Sequence, residues 1–313
     1  MEHRIKNISN SMSHTQHRLS EERLDTQLAW WEEQLAGAPP LLELPADHPR
    51  PAIQSPRGAR LRSRVNQKLT KKLRKLGKEQ GATLFMTLLT AFSVLLRRHS
   101  GQNDISIGTP VANRTHSQTE DMIGFFVNTL VLRTRFKDAI SFTELLDQMR
   151  STALGAYAHQ DLPFEQLVDR LSPERSLNHN PLFQVMFILK NNKEAELRLP
   201  GVKIETLEQD SPETKFDLTL SINEEHDGLF LIWEYAADLF EPTTVQRMAD
   251  HFEVLLNAIT KNPEDRIDTL PLLTEAETSQ LIEWNRTAEE YPKDKTLVDL
   301  FEEQVKQNPN NTA

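Results

Sequence analysis

Ten histidines are spread along the 313 residues, and each is a candidate acid–base group near neutral pH. His3, His14 and His17 lie in a polar stretch with neither the spacing nor the partners of a metal site. His48 sits among prolines. His99 follows Arg97 and Arg98 at the end of an apolar run, where a helix dipole favours a cation. His251 adjoins Asp250, but adjacent residues on a helix point apart. His226-Asp227-Gly228 pairs an imidazole with a carboxylate, yet it falls between two strand-like runs, where Asp-Gly is accounted for by a turn. The absence of cysteine rules out disulfides, thiol nucleophiles and thiolate metal sites and suits a reducing cytoplasm. The sequence contains no Gly-x-x-x-x-Gly-Lys-Ser/Thr, no Gly-x-Ser-x-Gly and no dinucleotide fingerprint. No metal site and no catalytic residue is assigned.

Three segments have compositions that local structure alone does not demand. The first is Ile123-Gly124-Phe125-Phe126-Val127-Asn128-Thr129, running on to Arg133. The second is His159-Gln160-Asp161-Leu162-Pro163-Phe164-Glu165, and the third runs from Arg175 through Asn180-Pro181 to Val185. Each also has a plain structural account. Asn128 and Thr129 could satisfy a strand entry, Asp161 could cap a helix, and Asn180-Pro181 could be a loop-to-strand junction.

Residues 1–20 are polar and aperiodic and are expected to be disordered. A helix is expected over 24–35, ending near Gly37, then an extended connector with six prolines over 39–56. Residues 59–65 alternate as a strand, Thr70 is expected to cap a basic helix reaching 80, and 83–99 reads as a core helix. Strands are expected over 104–111, 126–133 and 182–189, with a hairpin of 216–222 and 229–235. Ser141 should cap a helix over 142–158, Pro163 should open one reaching 171, and further helices fall at 241–259 and 275–284. Thr296 caps a last helix that ends abruptly, which suggests a cut inside a longer polypeptide. Alternating strands and helices with nearly uniformly apolar strands predict an α/β fold, a mixed sheet with covered faces. The net charge of −10 disfavours nucleic acid, and no apolar run approaches the roughly 18 residues that would cross a membrane.

In order and spacing, the three segments resemble the fifth, sixth and seventh core motifs of the condensation domains of nonribosomal peptide synthetases. Trp30-Trp31-Glu32-Glu33-Gln34-Leu35 resembles the family's inter-lobe helix, and Gly108 to Arg114, Lys215 to Leu218 and the stretch from Glu234-Tyr235 to Phe240 are also family-like. Ser176, Asn178 and His179 depart from the pattern of the third segment. The resemblance covers about residues 22–285. It implies an αβα sandwich of the chloramphenicol acetyltransferase kind, here the C-terminal lobe. On that basis 1–21 is a leader, 22–58 the inter-lobe helix and connector, 59–285 the lobe, and 286–313 a linker with the first helix of an adenylation domain.

The resemblance implies amide formation between thioesters carried on the phosphopantetheine of carrier proteins, with no cofactor bound directly. The partners it implies are peptidyl or acyl carrier domains, an adenylation domain and the N-terminal lobe. The catalytic His-His-x-x-x-Asp-Gly motif of that lobe is not in this sequence; His226-Asp227-Gly228 shares only some of its letters. Arg114 is expected to pair with that motif's aspartate and to stand unpaired without it. Asn128 and Thr129 are expected to support the tunnel, whereas Gly124, Phe126, Arg133, His159, Gln160, Asp161, Pro163, Phe164, Glu165, Asn180 and Pro181 are expected to be mostly structural. A lone lobe would also expose the apolar surface that meets its partner. Other readings are a docking module without chemistry, a fragment without activity, and an ester-forming, epimerising or cyclising relative.

Overall fold

Cap residues set most of the helix starts. Thr83, Ser141, Thr274 and Thr296 each accept a hydrogen bond from the third residue of the helix that follows, and for the last three the reciprocal partner is a carboxylate, Glu144, Glu277 and Asp299. The computed structural model describes residues 21–114, 122–171, 176–190, 213–288, 290 and 293–310. The expected leader, its three histidines and Arg175 lie outside the described residues.

The elements are α1 (Glu21–Leu35), β1 (Gly58–Asn66), α2 (Gln67–Glu79), α3 (Leu84–Ser100), β2 (Asp104–Val111), β3 (Asn128–Arg135), α4 (Phe142–Ala158), α5 (Phe164–Leu171), β4 (Val185–Lys190), β5 (Leu218–Glu225), β6 (Gly228–Ala236) and α6 (Pro242–Lys261). Beyond Leu272 a separate unit carries α7 (Glu275–Trp284) and α8 (Leu297–Gln307). Among the described residues the strands form one mixed sheet in the order β1-β6-β5-β4-β2-β3. The pairs β4–β5 and β2–β4 are parallel and the others antiparallel. The core lies under α3, whose residues from Met86 to Leu96 are nearly all buried, and α3 packs on α2, α4, α6 and β2. Successive residues of a strand face opposite ways. Thr134 Oγ1 reaches Ser93 of α3, while Arg133 reaches the last carbonyls of α1, so helices lie on both sides of β3.

Several boundaries differ from expectation by one to three residues, among them the hairpin strand expected over 216–222, which is Leu218–Glu225, and three differences have a local cause. Asn66, not Thr70, caps α2: its side chain accepts from Leu69 N, and Thr70 Oγ1 donates to Asn66 O from inside the helix. Strand β3 starts at Asn128 because its pairing with β2 begins at Val111, and residues 122–127 form a loop before it. Strand β4 starts at Val185 because Leu182 has φ +66°, a left-handed backbone that no strand accommodates.

The β5–β6 hairpin turns on His226 and Asp227. Gly228 has φ +146°, and a Cβ there would sit 2.0 Å from Val65 O on β1. The turn therefore requires glycine on steric grounds, and Asp227 is taken up by Arg64 at 3.2 Å. Nothing in this trio needs chemistry to explain it. Gly228→Ala is expected to cost about 2 kcal/mol or more of stability, read from urea unfolding. Wild-type stability in that variant would contradict the close approach of β6 to β1.

Candidate functional site

A buried primary amide has two N–H donors and two oxygen lone pairs to satisfy. Asn128, at the first position of β3 and almost sealed from solvent, satisfies all four on backbone. Its Nδ2 donates to Gln160 O and Leu162 O, both at 2.8 Å, and its Oδ1 accepts from Thr129 N at 2.9 Å and Phe164 N at 3.0 Å. The first segment thereby holds the second at both ends of its turn. Pro163 O accepts from Leu167 N in the first turn of α5, and Glu165 is exposed.

Helix α1 closes over the same turn with residues three and four apart, which share a face. Gln27 Oε1 accepts from Leu162 N at 2.9 Å, and its Nε2 lies 3.4 Å from Asp161 Oδ2. Trp31 Nε1 donates to His159 O at 2.9 Å. Trp30 stacks on the His159 ring, centroids 4.3 Å apart and planes 2° from parallel. His159 Nδ1 donates to Gly155 O at 2.8 Å, since a carbonyl can only accept. Gly155 makes the slot: a Cβ there would be 2.6 Å from the Trp30 ring. Gln160 Nε2 donates to Tyr157 O, and burial raises the Tyr157 phenol above its ordinary value, keeping it neutral.

Arg133 fixes the other end of α1. Its Nε and Nη2 donate to the two carboxylate oxygens of Asp104 at 2.7 and 2.6 Å, and Nη1 donates to Gln34 O and Ala36 O at 2.9 and 2.8 Å. A cation at a helix C-terminus meets the negative end of its dipole. The third segment enters through Phe183, whose ring lies 5.6 Å from Phe164 and 5.3 Å from Phe216. A Cβ on Gly108 would come within 2.2 Å of that ring, so β2 must present glycine there. Asn180 Nδ2 donates to Lys215 O, and Phe183 N donates to Pro181 O. Gln184, buried, donates to Pro40 O and Asn180 O and accepts from Leu42 N. A cavity of about 300 Å³ lies between the end of α1 and this segment, lined in part by Gly37, Pro39, His179 and Leu182.

Arg114 does not stand unpaired. Its Nη1 donates to Met122 O at 2.9 Å and its guanidinium lies over the Phe126 ring at 4.5 Å, because residues 122–126 fold back toward it. Gly124 is in this loop, where Ile123 is 82% exposed, Phe125 76% and Val127 50%. These three side chains leave apolar area in solvent in the loop that reaches Arg114 and leads to the half-buried Thr129.

Reading the sequence alone misses Gln27, Gly155 and Gln184. The last two carry a signal: a glycine inside a helix and an amide inside an apolar run each call for a packing reason. Among the described residues no three His, Asp or Glu side chains are placed to hold a metal, and no single helix is long and apolar enough to cross a membrane. His99 and His251, unrelated in sequence, face each other across α3 and α6 with ring nitrogens 3.2 Å apart.

Asn128→Ala would leave buried carbonyls and amides of the second segment without partners, and is expected to lower stability by about 3 kcal/mol. Hydrogen exchange should accelerate at Phe164 and Thr129, the two amides that lose their acceptor. Unchanged exchange at Phe164 would show that the turn does not hang on this amide.

The condensation-domain family model matches residues 6–282. A linear gramicidin synthase chain of Brevibacillus parabrevis is 50% identical over 288 residues, 91% of this chain. Phosphinothricin tripeptide synthetase PhsC of Streptomyces viridochromogenes is 42% identical over 299 residues, 94% of this chain and 27% of that protein. The chain spans only 6% of the gramicidin synthase polypeptide. Among solved structures, a four-domain nonribosomal peptide synthetase bound to AMP and glycine superposes with TM-score 0.80 at 26% identity, covering 95% of this chain and 24% of that one. The X-domain from teicoplanin biosynthesis gives TM-score 0.76 at 25% identity, over 85% of this chain and 60% of that one. With its mixed sheet, its interlocked segments and these relatives, the chain belongs to the condensation-domain family of nonribosomal peptide synthetases.

Proposed function

We propose that this chain supplies the C-terminal lobe of a condensation domain that joins two carrier-bound aminoacyl or peptidyl thioesters. The acceptor amine attacks the donor thioester carbonyl, an amide forms, the C–S bond breaks, and the donor carrier's phosphopantetheine thiol leaves with a proton. The observation that carries this reading is Asn128: one amide locks the first and second segments into a single rigid surface, and the exposed apolar side chains of Ile123, Phe125 and Val127 lie in the loop that leads to it. A surface of that kind suits a tunnel wall that orients two thioesters.

No adjacent pair of histidines occurs in the 313 residues, so on this reading the base belongs to a His-His-x-x-x-Asp-Gly segment outside them. His159 is held by stacking and by a carbonyl, and among the described residues no carboxylate hydrogen-bonds to its ring. Arg114 supports the active site from the lobe interface by exchanging Met122 O for the aspartate of that segment. Carrier domains bring the phosphopantetheine-linked substrates, and α8 is read as the first helix of an adenylation domain. On this reading the reaction belongs to the cytoplasm, which a chain without cysteine suits. A second reading, a docking module without chemistry, has one finding in its favour: the teicoplanin X-domain, 26% identical in that structure, was solved in complex with OxyB.

The test is amide formation from a donor and an acceptor loaded on carrier proteins. Product is expected when an N-terminal condensation lobe is added to this chain, and none with the chain alone. Arg114→Ala should lower that rate by at least about tenfold with little loss of stability. Product from the chain alone would overturn the assignment of the base to another segment, and His159→Ala would then be the first variant to assay. No product under either condition would favour the docking module.

A further inference from the structure

Helix α2 is built against its own electrostatics. Leu69, Leu73 and Leu76 are buried and fix which side meets the core, so the rest of the helix faces outward. The outward side carries Lys68, Lys71, Lys72, Arg74, Lys75 and Lys78, all exposed, against a single carboxylate, Glu79. Lys68 is three and four residues from Lys71 and Lys72, Lys71 is four from Lys75, and Lys75 is three from Lys78. Those spacings set like charges side by side, and each such pair destabilises a helix. The first turn holds Lys68 and no acid, although the dipole there favours an anion. Relief within the chain is small: Arg74 pairs with Glu224, and Lys75 lies 3.7 Å from Glu79. Among the described residues no acidic side chain pairs with Lys68, Lys71, Lys72 or Lys78. All this sits in a chain whose net charge is −10.

We propose that this stripe is a docking surface for the acidic face of a folded protein domain. From Lys68 to Lys78 the stripe runs about 15 Å at the rise of an α-helix, the reach of a partner helix bearing carboxylates three and four residues apart. Charge also selects the kind of partner. A nucleic acid or an anionic membrane extends beyond the stripe along a chain whose net charge is −10. A compact acidic domain touches the stripe alone. Helix α2 packs on α3, α6, β6 and β1, and β1 is the sheet edge opposite β3, so the stripe is separate from the surface built around Asn128.

The probe is a fluorescent helical peptide with glutamates along one face, titrated with the 313-residue chain at low and moderate salt. Binding is expected and should weaken with salt. The combined change of Lys68, Lys71, Lys72 and Lys78 to Gln should weaken it by about tenfold or more. The same four positions changed to Arg should retain it. The Gln variant should also melt a few degrees higher, because like-charge repulsion has been removed; a helix face that merely keeps the protein soluble would give that rise without the peptide binding. Equal affinity of the Gln variant, or of a peptide with the same glutamates scattered around its helix, would overturn the proposal. So would tighter binding of duplex DNA or of phosphatidylserine vesicles than of the acidic peptide.

Discussion

An amide taken out of water must replace every hydrogen bond it gives up, and Asn128 does so entirely with backbone groups from its own strand and from residues 160–164. No other side chain of this size could serve. A carboxylate would set negative charge against two carbonyls, and an aliphatic residue would strand four backbone groups. Once the turn is fixed, its outward side is fixed too. His159 presents a flat ring and a carbonyl, and Trp30 and Trp31 of α1 occupy one each. The position of a helix more than ninety residues away in sequence therefore depends on one carboxamide.

Guanidinium groups carry the same logic to the connectors. Arg133 holds the end of α1 and Asp104 together. Arg50, in the proline-rich connector, makes a bidentate pair with buried Asp217 at the start of β5. Arg98 reaches three carbonyls from Ile267 to Leu270, and the Arg97 hydrogen bond lowers the carboxyl of Asp268 below its ordinary value. Segments without regular structure have spare carbonyls, and a planar cation with several donors can collect them in one place. The connector over 39–56 is held in this way, as well as by Gln184, rather than by strand pairing.

What is legible in the sequence follows from range. The strand over 104–111 and the helices over 142–158 and 275–284 appear at their expected limits, because caps, alternation and breakers act within a few residues. Leu182 reads as strand because nothing local marks a leucine for positive φ. Thr70 reads as a cap because it is a good one in isolation; Asn66, four residues earlier, satisfies the same helix start. At the site, resemblance singles out Asn128, His159 and Arg133, but it does not supply their partners. Gln27 and Leu162 are 135 residues apart, and no pattern within one chain announces that contact.

The way hydrogen bonds are used up separates building residues from available ones. Asn128 has no donor or acceptor left over, and Arg133 directs four donors at Asp104 and at α1. Groups so engaged cannot bind a substrate without first breaking the fold, so the strict composition of these segments is a demand of geometry rather than of reactivity. The outward side is different. Ile123, Phe125 and Val127 leave apolar surface in water, near an arginine that donates to the Met122 carbonyl and lies over the Phe126 ring. Exposed apolar area of this kind is poor design for a free surface and good design for one that another segment covers. On the condensation reading, the rigid half of the tunnel and the reactive half are then contributed by different stretches of polypeptide.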